Sequence, residues 1–334
     1  MKRRVLAVLL VAAMALSLAA CGSSSDDSAD ASTGSEGGDE ISIGVLLKPE
    51  SNEYWSSMKA GMLEWADEQE GVTVEVLCAE DEDNTAGQLE QLQNMIGKDY
   101  DAICVAPLSE SNLVEGVIAA SEAGIPIVDV DEAVDVDAVV EGGGNMYKRY
   151  TTENISVGNK AGEFICEQLG GSGDVAIIQG TAAQVTSQQR SQGAEEALTE
   201  GGCTVVASQP ANWDRLEAID VATNIMQSNP DLKAFYAAND TMALGVYEAV
   251  VNADKADDII VVGTDGTSNG IQSVADGEMA ASIGQDNVGI GIACLEAAVE
   301  AVQNGWDPTD TSYEMPVEYI DSFLISADNA QDYL

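Results

Sequence analysis

Residues 234–263 read AFYAANDTMALGVYEAVVNADKADDIIVVG and contain a complete strand–helix–strand unit. A short apolar run over 234–237 leads into the polar pair Asn239 and Asp240, and apolar residues then recur at helical spacing over 241–251. A second apolar run follows over 259–263. Strands that are apolar along their whole length and alternate with helices are typical of a parallel sheet covered by helices on both faces.

The same alternation runs through most of the preceding chain. Apolar runs predict strands over 41–47, 72–77, 102–106, 126–130, 174–178 and 203–208. Amphipathic stretches predict helices over 54–68, 85–96, 113–123, 157–169, 188–199 and 216–228. A polar patch over 142–152 divides the series into two α/β units of similar size, too much chain for a single core.

The N-terminus has the features of a secretory signal. Lys2, Arg3 and Arg4 precede a short apolar run that ends in LAAC at residues 18–21. The run is shorter than the ~20 residues that a membrane-spanning helix needs. LAAC resembles the bacterial lipobox, so we predict a signal peptide over 1–20 and lipidation of Cys21; an ordinary signal cleaved near Ala20 is the alternative. Residues 21–39 are almost free of large apolar side chains and predict a disordered tether. The expected location is extracytoplasmic, at the cell membrane.

Composition excludes several classes of function. The net charge of −45 opposes binding to nucleic acid and to anionic lipid head groups. The chain has no histidine, which excludes a Ser-His-Asp triad and an imidazole base. The glycine clusters at 142–144 and 170–173 lack the dinucleotide-binding and phosphate-loop spacings. We therefore expect no enzyme activity and no cofactor.

The six cysteines do not predict a metal site. None forms a C-x-x-C pair, and histidine ligands are lacking, so we expect no zinc and no other metal. Four of them, Cys78, Cys104, Cys166 and Cys294, lie in apolar segments, which favours buried free thiols. A single disulfide stays open as the alternative.

Polar residues follow the predicted strands, where ligands bind in open α/β sheets. These strand-end residues are 49–52, 107–109, 131–132, 180–181, 209–210, 239–240 and 264–266. Asn and Asp at such places also end strands and cap helices, which is the alternative for any single position. Tyr54, Trp55 and Trp213 fall near the same ends, and flat aromatic rings suit the C–H faces of a sugar. Arg190 can donate to two oxygens through its planar fork, although a surface ion pair would also explain it.

Several segments resemble the ribose- and galactose-type periplasmic binding proteins of ABC importers. They are NEYW (52–55), AGIPIV (123–128), SQPANWDR (208–215), AANDTMALG (237–245), VGTDGT (262–267) and ASIGQ (281–285). The resemblance implies a type I periplasmic binding protein fold, in which two Rossmann-like domains with parallel sheets are joined by a three-segment hinge. It also implies ligand contacts from Asn52, Tyr54, Trp55, Asp131, Arg190, Trp213, Asn239, Asp265 and Gln285. Glu132 is a further expected contact, but it replaces an arginine of the ribose binders, and Ala106 and Thr264 also depart from their pattern.

This resemblance sets the expected domains and function. One lobe comprises 40–151 plus 286–317 and the other 152–285 plus 318–334, with three hinge strands expected near 151–154, 285–287 and 315–318. The expected function is that of a monomeric lipoprotein that captures a monosaccharide or related polyol and delivers it to an importer permease. Presentation of a sugar-like autoinducer or chemoreceptor ligand is the alternative. A regulator of the lactose-repressor type is rejected, because a signal and an acidic tether replace its basic helix-turn-helix.

Overall fold

The computed structural model describes residues 40–334. The predicted signal peptide, the lipidation site Cys21 and the tether up to residue 39 lie outside the described residues, and they stay predictions. Within 40–334, every helix is too short or too polar to cross a bilayer.

Two six-stranded sheets form the framework, in the orders β11-β5-β4-β3-β1-β2 and β12-β10-β9-β8-β6-β7. The strands of the first sheet are β1 (Ile41–Leu47), β2 (Val72–Cys78), β3 (Ala102–Val105), β4 (Ile127–Val130), β5 (Arg149–Thr152) and β11 (Val317–Ile320). Those of the second are β6 (Asp174–Gln179), β7 (Thr204–Pro210), β8 (Leu232–Ala237), β9 (Ile260–Asp265), β10 (Ala281–Gly284) and β12 (Phe323–Ser326). Every pairing is parallel except that of β10 with β12. The predicted α/β class with parallel sheets is confirmed.

Helices cover both faces of each sheet. Around the first sheet they are α1 (Glu53–Glu68), α2 (Thr85–Ile96), α3 (Val114–Glu122), α4 (Val136–Glu141) and α10 (Asn287–Gln303). Around the second they are α5 (Asn154–Gln168), α6 (Val185–Glu200), α7 (Arg215–Ser228), α8 (Asp240–Asn252) and α9 (Ser268–Ala275), with a short 3-10 helix over Ala330–Tyr333. The central strands are therefore buried on both sides, which is why β3, β4 and β10 have no exposed residue.

Short polar side chains start many of the helices. Asn52 Oδ1 accepts from the Tyr54 amide at 3.1 Å, and Asn239 Oδ1 accepts from the Met242 amide at 2.8 Å. Asp214 caps α7 and Asp286 caps α10 in the same way. Each side chain satisfies an amide that has no partner inside its helix. The capping alternative for the strand-end Asn and Asp residues is therefore correct at Asn52 and Asn239.

The chain passes between the two sheets three times. The first passage lies between β5 and α5, the second between β10 and α10, and the third between β11 and β12. The third differs from the prediction. β11 pairs with β5 from Val317 to Ile320, so residues 318–320 belong to the first sheet and the passage follows at 321–322, not at 315–318. The segment VEYI is short and mostly exposed, and it has no apolar run that would mark a strand.

Candidate functional site

One cavity lies at the carboxyl ends of strands from both sheets. It is narrow, with a volume of about 20 Å³ open to the centres of water-sized spheres. The lining residues are Lys48, Asn52, Tyr54, Trp55, Asp131, Glu132, Thr186, Arg190, Trp213, Asn239 and Asp265. They follow β1, β4 and β8, end β9, or belong to α1, α6 and the turn after β7, so the cavity lies between the two sheets.

Arg190 is the centre of the polar network on the side of the second sheet. The residue is only 4% exposed. Its Nε donates to Asn154 Oδ1 at 2.9 Å, and Nη1 donates to the Ala238 carbonyl at 2.8 Å and to Asp265 Oδ1 at 3.3 Å. Nη2 donates to Gln285 Oε1 at 3.0 Å. Four of the five guanidinium hydrogens are thus used, and the remaining one on Nη2 is available to a ligand.

Lys48 is the matching cation on the side of the first sheet. Its ammonium is buried 3.1 Å from Glu82 Oε2 and 3.5 Å from Glu132 Oε1. It also lies 5.7 Å from the ring centroids of both Trp55 and Trp213. Burial opposes the charge on Lys48, but the attraction of the two glutamates outweighs it and raises the pKa of the ammonium. Lys48 therefore remains charged between the two indoles.

Two indoles form the apolar walls. Trp55 is the third residue of α1, and its ring packs edge-on against Tyr54 at 5.0 Å between centroids. Trp213 follows β7, and its indole Nε1 donates to Gln184 Oε1. Gln184 in turn donates through Nε2 to the carbonyl of Leu108 at 2.7 Å. The orientation of the Trp213 ring is therefore fixed by a side chain that also bonds to the other sheet.

Three cavity residues have a backbone conformation that side chains rarely adopt. Asp131 has φ of 62°, Trp213 of 62° and Asp265 of 117°. A positive φ is unfavourable for a residue other than glycine, and most of all for a bulky one such as tryptophan. Such strain persists where the surrounding structure imposes it, and it is concentrated at functional sites. The backbone thus holds two carboxylates and an indole toward the same cavity.

Two buried carboxylates line the cavity and already accept bonds from side chains: Asp131 from Tyr54 and Thr151, and Asp265 from Arg190 and Gln285. Burial raises the pKa of Asp131, and the neighbouring Glu132 adds to the effect. Burial likewise raises the pKa of Asp265 well above its usual range, although Arg190 counteracts it. Among the described residues, Asn239 Nδ2 is buried without a hydrogen-bond partner, while its Oδ1 caps α8. The cavity therefore presents carboxylate acceptors together with free N–H donors.

Direct bonds join the two sides of the cleft. Glu53 on α1 accepts from the Ser268 amide at 3.0 Å and from the Asn269 side-chain amide at 2.6 Å, both at the start of α9. Thr186 Oγ1 donates to Glu132 Oε2 at 2.8 Å. With the bond between Gln184 and Leu108, these contacts hold the cleft in a closed arrangement.

The structure brings most of the predicted site residues together. Nine of the ten line the cavity, while Gln285 lies behind it and donates to Asp265 Oδ1 at 2.7 Å. Their roles in binding stay predictions. Three residues at or beside the cavity, Lys48, Gln184 and Thr186, were not predicted from the sequence. Lys48 comes directly after β1, so the strand-end rule could have found it, whereas Gln184 and Thr186 lie at the start of a helix with no distinctive pattern.

Comparison with known proteins agrees with this architecture. Residues 43–305 match a family model described as a periplasmic binding protein domain. The D-allose-binding periplasmic protein of Escherichia coli is 41% identical over 285 residues, covering 84% of this chain and 91% of that protein. The ribose import binding protein of the same organism is 30% identical over 256 residues, covering 77% and 83%. A solute-binding protein of an ABC transporter from Actinobacillus succinogenes, solved with bound D-allose, has a TM-score of 0.79 at 32% identity and covers 88% of this chain and 100% of its own. The fold resemblance inferred from the sequence is thus confirmed, and the chain belongs to the periplasmic binding protein family, whose members matched here are binding proteins and not enzymes.

Proposed function

We propose that this protein captures one neutral monosaccharide, D-allose or a close stereoisomer, in the closed cavity between its two sheets. The observation that carries the proposal is the presence of two indoles in one cavity together with a rim of buried carboxylates and free N–H donors. A pyranose offers the complementary surface, because its ring faces are apolar C–H groups and its edge is a circle of hydroxyls.

Each sugar hydroxyl is both a donor and an acceptor, which suits the two sets of polar groups. Asp131 and Asp265 accept two bonds each from the protein and have capacity for more, which hydroxyl hydrogens would fill. The free hydrogen on Arg190 and the unpaired Nδ2 of Asn239 need acceptors, and the hydroxyl oxygens would supply those. Leaving these groups unpaired in a closed cleft is costly, so ligands that lack the hydroxyls are expected to bind poorly.

Size and charge narrow the ligand class further. The cavity is small, with about 20 Å³ open to the centres of water-sized spheres, so the two sides must separate to admit one sugar ring, and an oligosaccharide is not expected to fit. The ionisable groups at the cavity are the cations Lys48 and Arg190 against the carboxylates Glu82, Asp131, Glu132 and Asp265. Because acids outnumber bases, sugar phosphates and sugar acids are expected to be excluded.

Relatives support allose over ribose as the first candidate. The relative named for D-allose is 41% identical, against 30% for the one named for ribose. The solved neighbour with bound D-allose is also a solute-binding protein of an ABC transporter. Glu132, which departs from the ribose-binder pattern, contacts both Lys48 and Thr186 at the cavity, and it would select among hydroxyl arrangements.

We infer that the two sheets belong to two lobes that close on the sugar. The lobes are the domains proposed from the sequence, with the third boundary moved to 321–322. They would rotate about the three passages, opening the bonds of Glu53, Thr186 and Gln184 across the cleft. Closure requires that the ligand contact both lobes, because a ligand shifts such an equilibrium only by its preference for one state.

Delivery and anchoring complete the proposal. The closed lobes would carry the sugar to the permease of an ABC importer, and lipidated Cys21 would keep the protein at the membrane. A monomer is expected, since one chain supplies the whole cavity.

Isothermal titration of the purified protein with D-allose tests the sugar assignment. Three neutral compounds serve as specificity controls: D-glucose (which differs from D-allose in the configuration of one hydroxyl), D-ribose and myo-inositol. A hexose phosphate tests the exclusion of anions. We expect allose to bind most tightly and to stabilise the protein by ~2.7 kcal/mol at a hundredfold its Kd. Failure of all four neutral ligands to bind would contradict the proposal.

A matched pair of variants tests the site. Arg190→Lys keeps the charge but loses the planar fork, and we expect a loss of affinity of about 2–5 kcal/mol because the partner groups stay buried and unpaired. Arg215→Lys is the control, since Arg215 is half exposed and forms only a surface ion pair with Glu248. Equal affinity in both variants would show that the sugar binds elsewhere.

A further inference from the structure

Two thiols lie side by side away from the cleft. Cys166, in the last turn of α5, has its Sγ 3.1 Å from the Sγ of Cys203, which follows α6. Both are free thiols in this structure, and they are 7% and 6% exposed. A disulfide needs its sulfurs about 2.05 Å apart, so the bond requires a shift of about 1 Å.

Both cysteines contact the C-terminal end of α6. Cys166 Sγ lies 3.5 Å from the carbonyl of Leu198, and the Cys203 amide donates to the same carbonyl at 2.9 Å. Gly201, between them, has no space for a side chain, because a Cβ there would lie 2.4 Å from Cys166 Sγ. The two sulfurs are therefore placed together by local structure.

A path from solvent reaches the pair. Cys166 lines a surface cavity together with Asn159, Glu163, Glu196 and Glu200. A small reagent can approach Cys166 through this cavity, while Cys203 lies behind it. Burial and the neighbouring Cys166 raise the pKa of Cys203 to about 12, so this thiol is a slow nucleophile, and its closeness to Cys166 Sγ is what favours the second step.

We propose that Cys166 and Cys203 form a structural disulfide by thiol–disulfide exchange with a small or protein disulfide. The Cys166 thiolate attacks one sulfur of the oxidant, forming a mixed disulfide and releasing one thiolate. The Cys203 thiolate then attacks Cys166 Sγ, closes the intramolecular bond and expels the second thiolate. The two cysteines lose two electrons, the oxidant is reduced to two thiols, and the two protons pass to them.

The bond would tie the end of α5 to the turn after α6 and close a loop of 38 residues in the unfolded chain. Such a cross-link stabilises a domain mainly by restricting its unfolded state. An extracytoplasmic compartment, which rests on the proposed function, would supply the oxidant. The chemistry of the pair does not depend on the ligand, so its test is independent of sugar binding.

The test treats the full chain, purified under reducing conditions, with cystamine or with oxidised glutathione. Peptide mapping by mass spectrometry is expected to show Cys166 and Cys203 linked, with the loss of two hydrogens, and the melting temperature is expected to rise by about 5 °C or more. Because the cavity is acidic, the cationic cystamine should react faster than the anionic glutathione disulfide, and added salt should reduce the difference.

Single variants locate the effect. Cys166→Ser and Cys203→Ser should each abolish the link and the rise in melting temperature, whereas the control Cys78→Ser, at a half-buried thiol in the other sheet, should keep both. A wild-type protein whose Cys166 and Cys203 link only after unfolding in urea, or not at all, overturns the proposal. A link that forms but lowers the melting temperature overturns the stabilising role.

Discussion

Glu53 provides a direct way to test closure of the cleft. Its carboxylate accepts from the Ser268 amide at 3.0 Å and from Asn269 Nδ2 at 2.6 Å, with a longer contact to the Asn269 amide at 3.4 Å. Ser268 and Asn269 begin α9, where the helix dipole favours a negative charge. Glu53→Gln keeps one acceptor and removes the charge. The bonds are charge-assisted but partly exposed, so we expect the closed state to lose about 1–2 kcal/mol.

This loss should appear in sugar affinity. If the free protein is mostly open, binding includes closure, and 1–2 kcal/mol corresponds to a Kd about 5- to 30-fold weaker. Most of the change should lie in the dissociation rate, because the bonds form only after the lobes meet. Titration calorimetry gives Kd, and stopped-flow tryptophan fluorescence gives the rate, since Trp55 and Trp213 line the cavity.

The control is Glu64→Gln, which makes the same charge change at an exposed position of α1. High salt should lower the sugar affinity of the wild type toward that of Glu53→Gln. The control Glu64→Gln should respond to salt as the wild type does. Equal Kd and equal dissociation rates in the two variants would refute the idea that Glu53 stabilises the closed state.

Three further outcomes are expected. Gly180→Ala should weaken sugar binding at least tenfold, because its Cβ would overlap the Trp213 indole and displace that ring. Calorimetry measures the affinity, and circular dichroism should show little change in fold. Unchanged affinity would place Trp213 outside the binding surface. Burial raises the pKa of Asp129 from 3.8 to about 7, although Arg149 offsets part of the effect. The folded protein then holds a proton that the unfolded chain has lost, so this group makes stability fall as pH rises from 4 to 7, by at most ~1.4 kcal/mol per unit. Melting scans should show a flatter pH dependence for Asp129→Asn, and parallel curves would contradict the assignment. Cys21→Ser should move the protein from the membrane to the soluble fraction after cell fractionation; retention in the membrane would exclude the lipid anchor.

Much of the framework could be read from the sequence because buried parallel strands leave a strong signal. β1 and the strands on either side of the helix that follows Asn239 are mostly apolar, and the polar residues at their carboxyl ends mark the edge where the cavity lies. β5 and β11 were predicted only as hinge strands near 151–154 and 315–318, because RYTT and VEYI are short and mixed in polarity and they pair with each other from far apart in the chain. No local pattern specifies such a partner.

The residues that line the cavity were predicted less completely than the fold. Asn239 shows why the alternatives could not be separated from sequence, since one atom of its side chain caps α8 and the other faces the cavity. The positive φ of Trp213 and Asp265 arises from the tertiary structure, so the direction of these side chains is not encoded at their own positions. Lys48 was not predicted as a cavity residue. A lysine after a strand usually lies in solvent, whereas here two glutamates and two indoles surround its ammonium.

The contact between α5 and α6 has a mechanical consequence. A Cβ on Gly158 would lie 2.1 Å from the Arg190 carbonyl, and one on Gly193 would lie 2.1 Å from the Ile155 carbonyl, so the two helix backbones touch without intervening side chains. α5 begins two residues after β5, at the first passage between the sheets. A rotation of the backbone at this passage would therefore move α5 and α6 together, and Arg190 on α6 with them, because no side chains between the two helices could adjust instead. If Arg190 binds the sugar as proposed, its guanidinium is already oriented, and little of the binding free energy would be lost to ordering it.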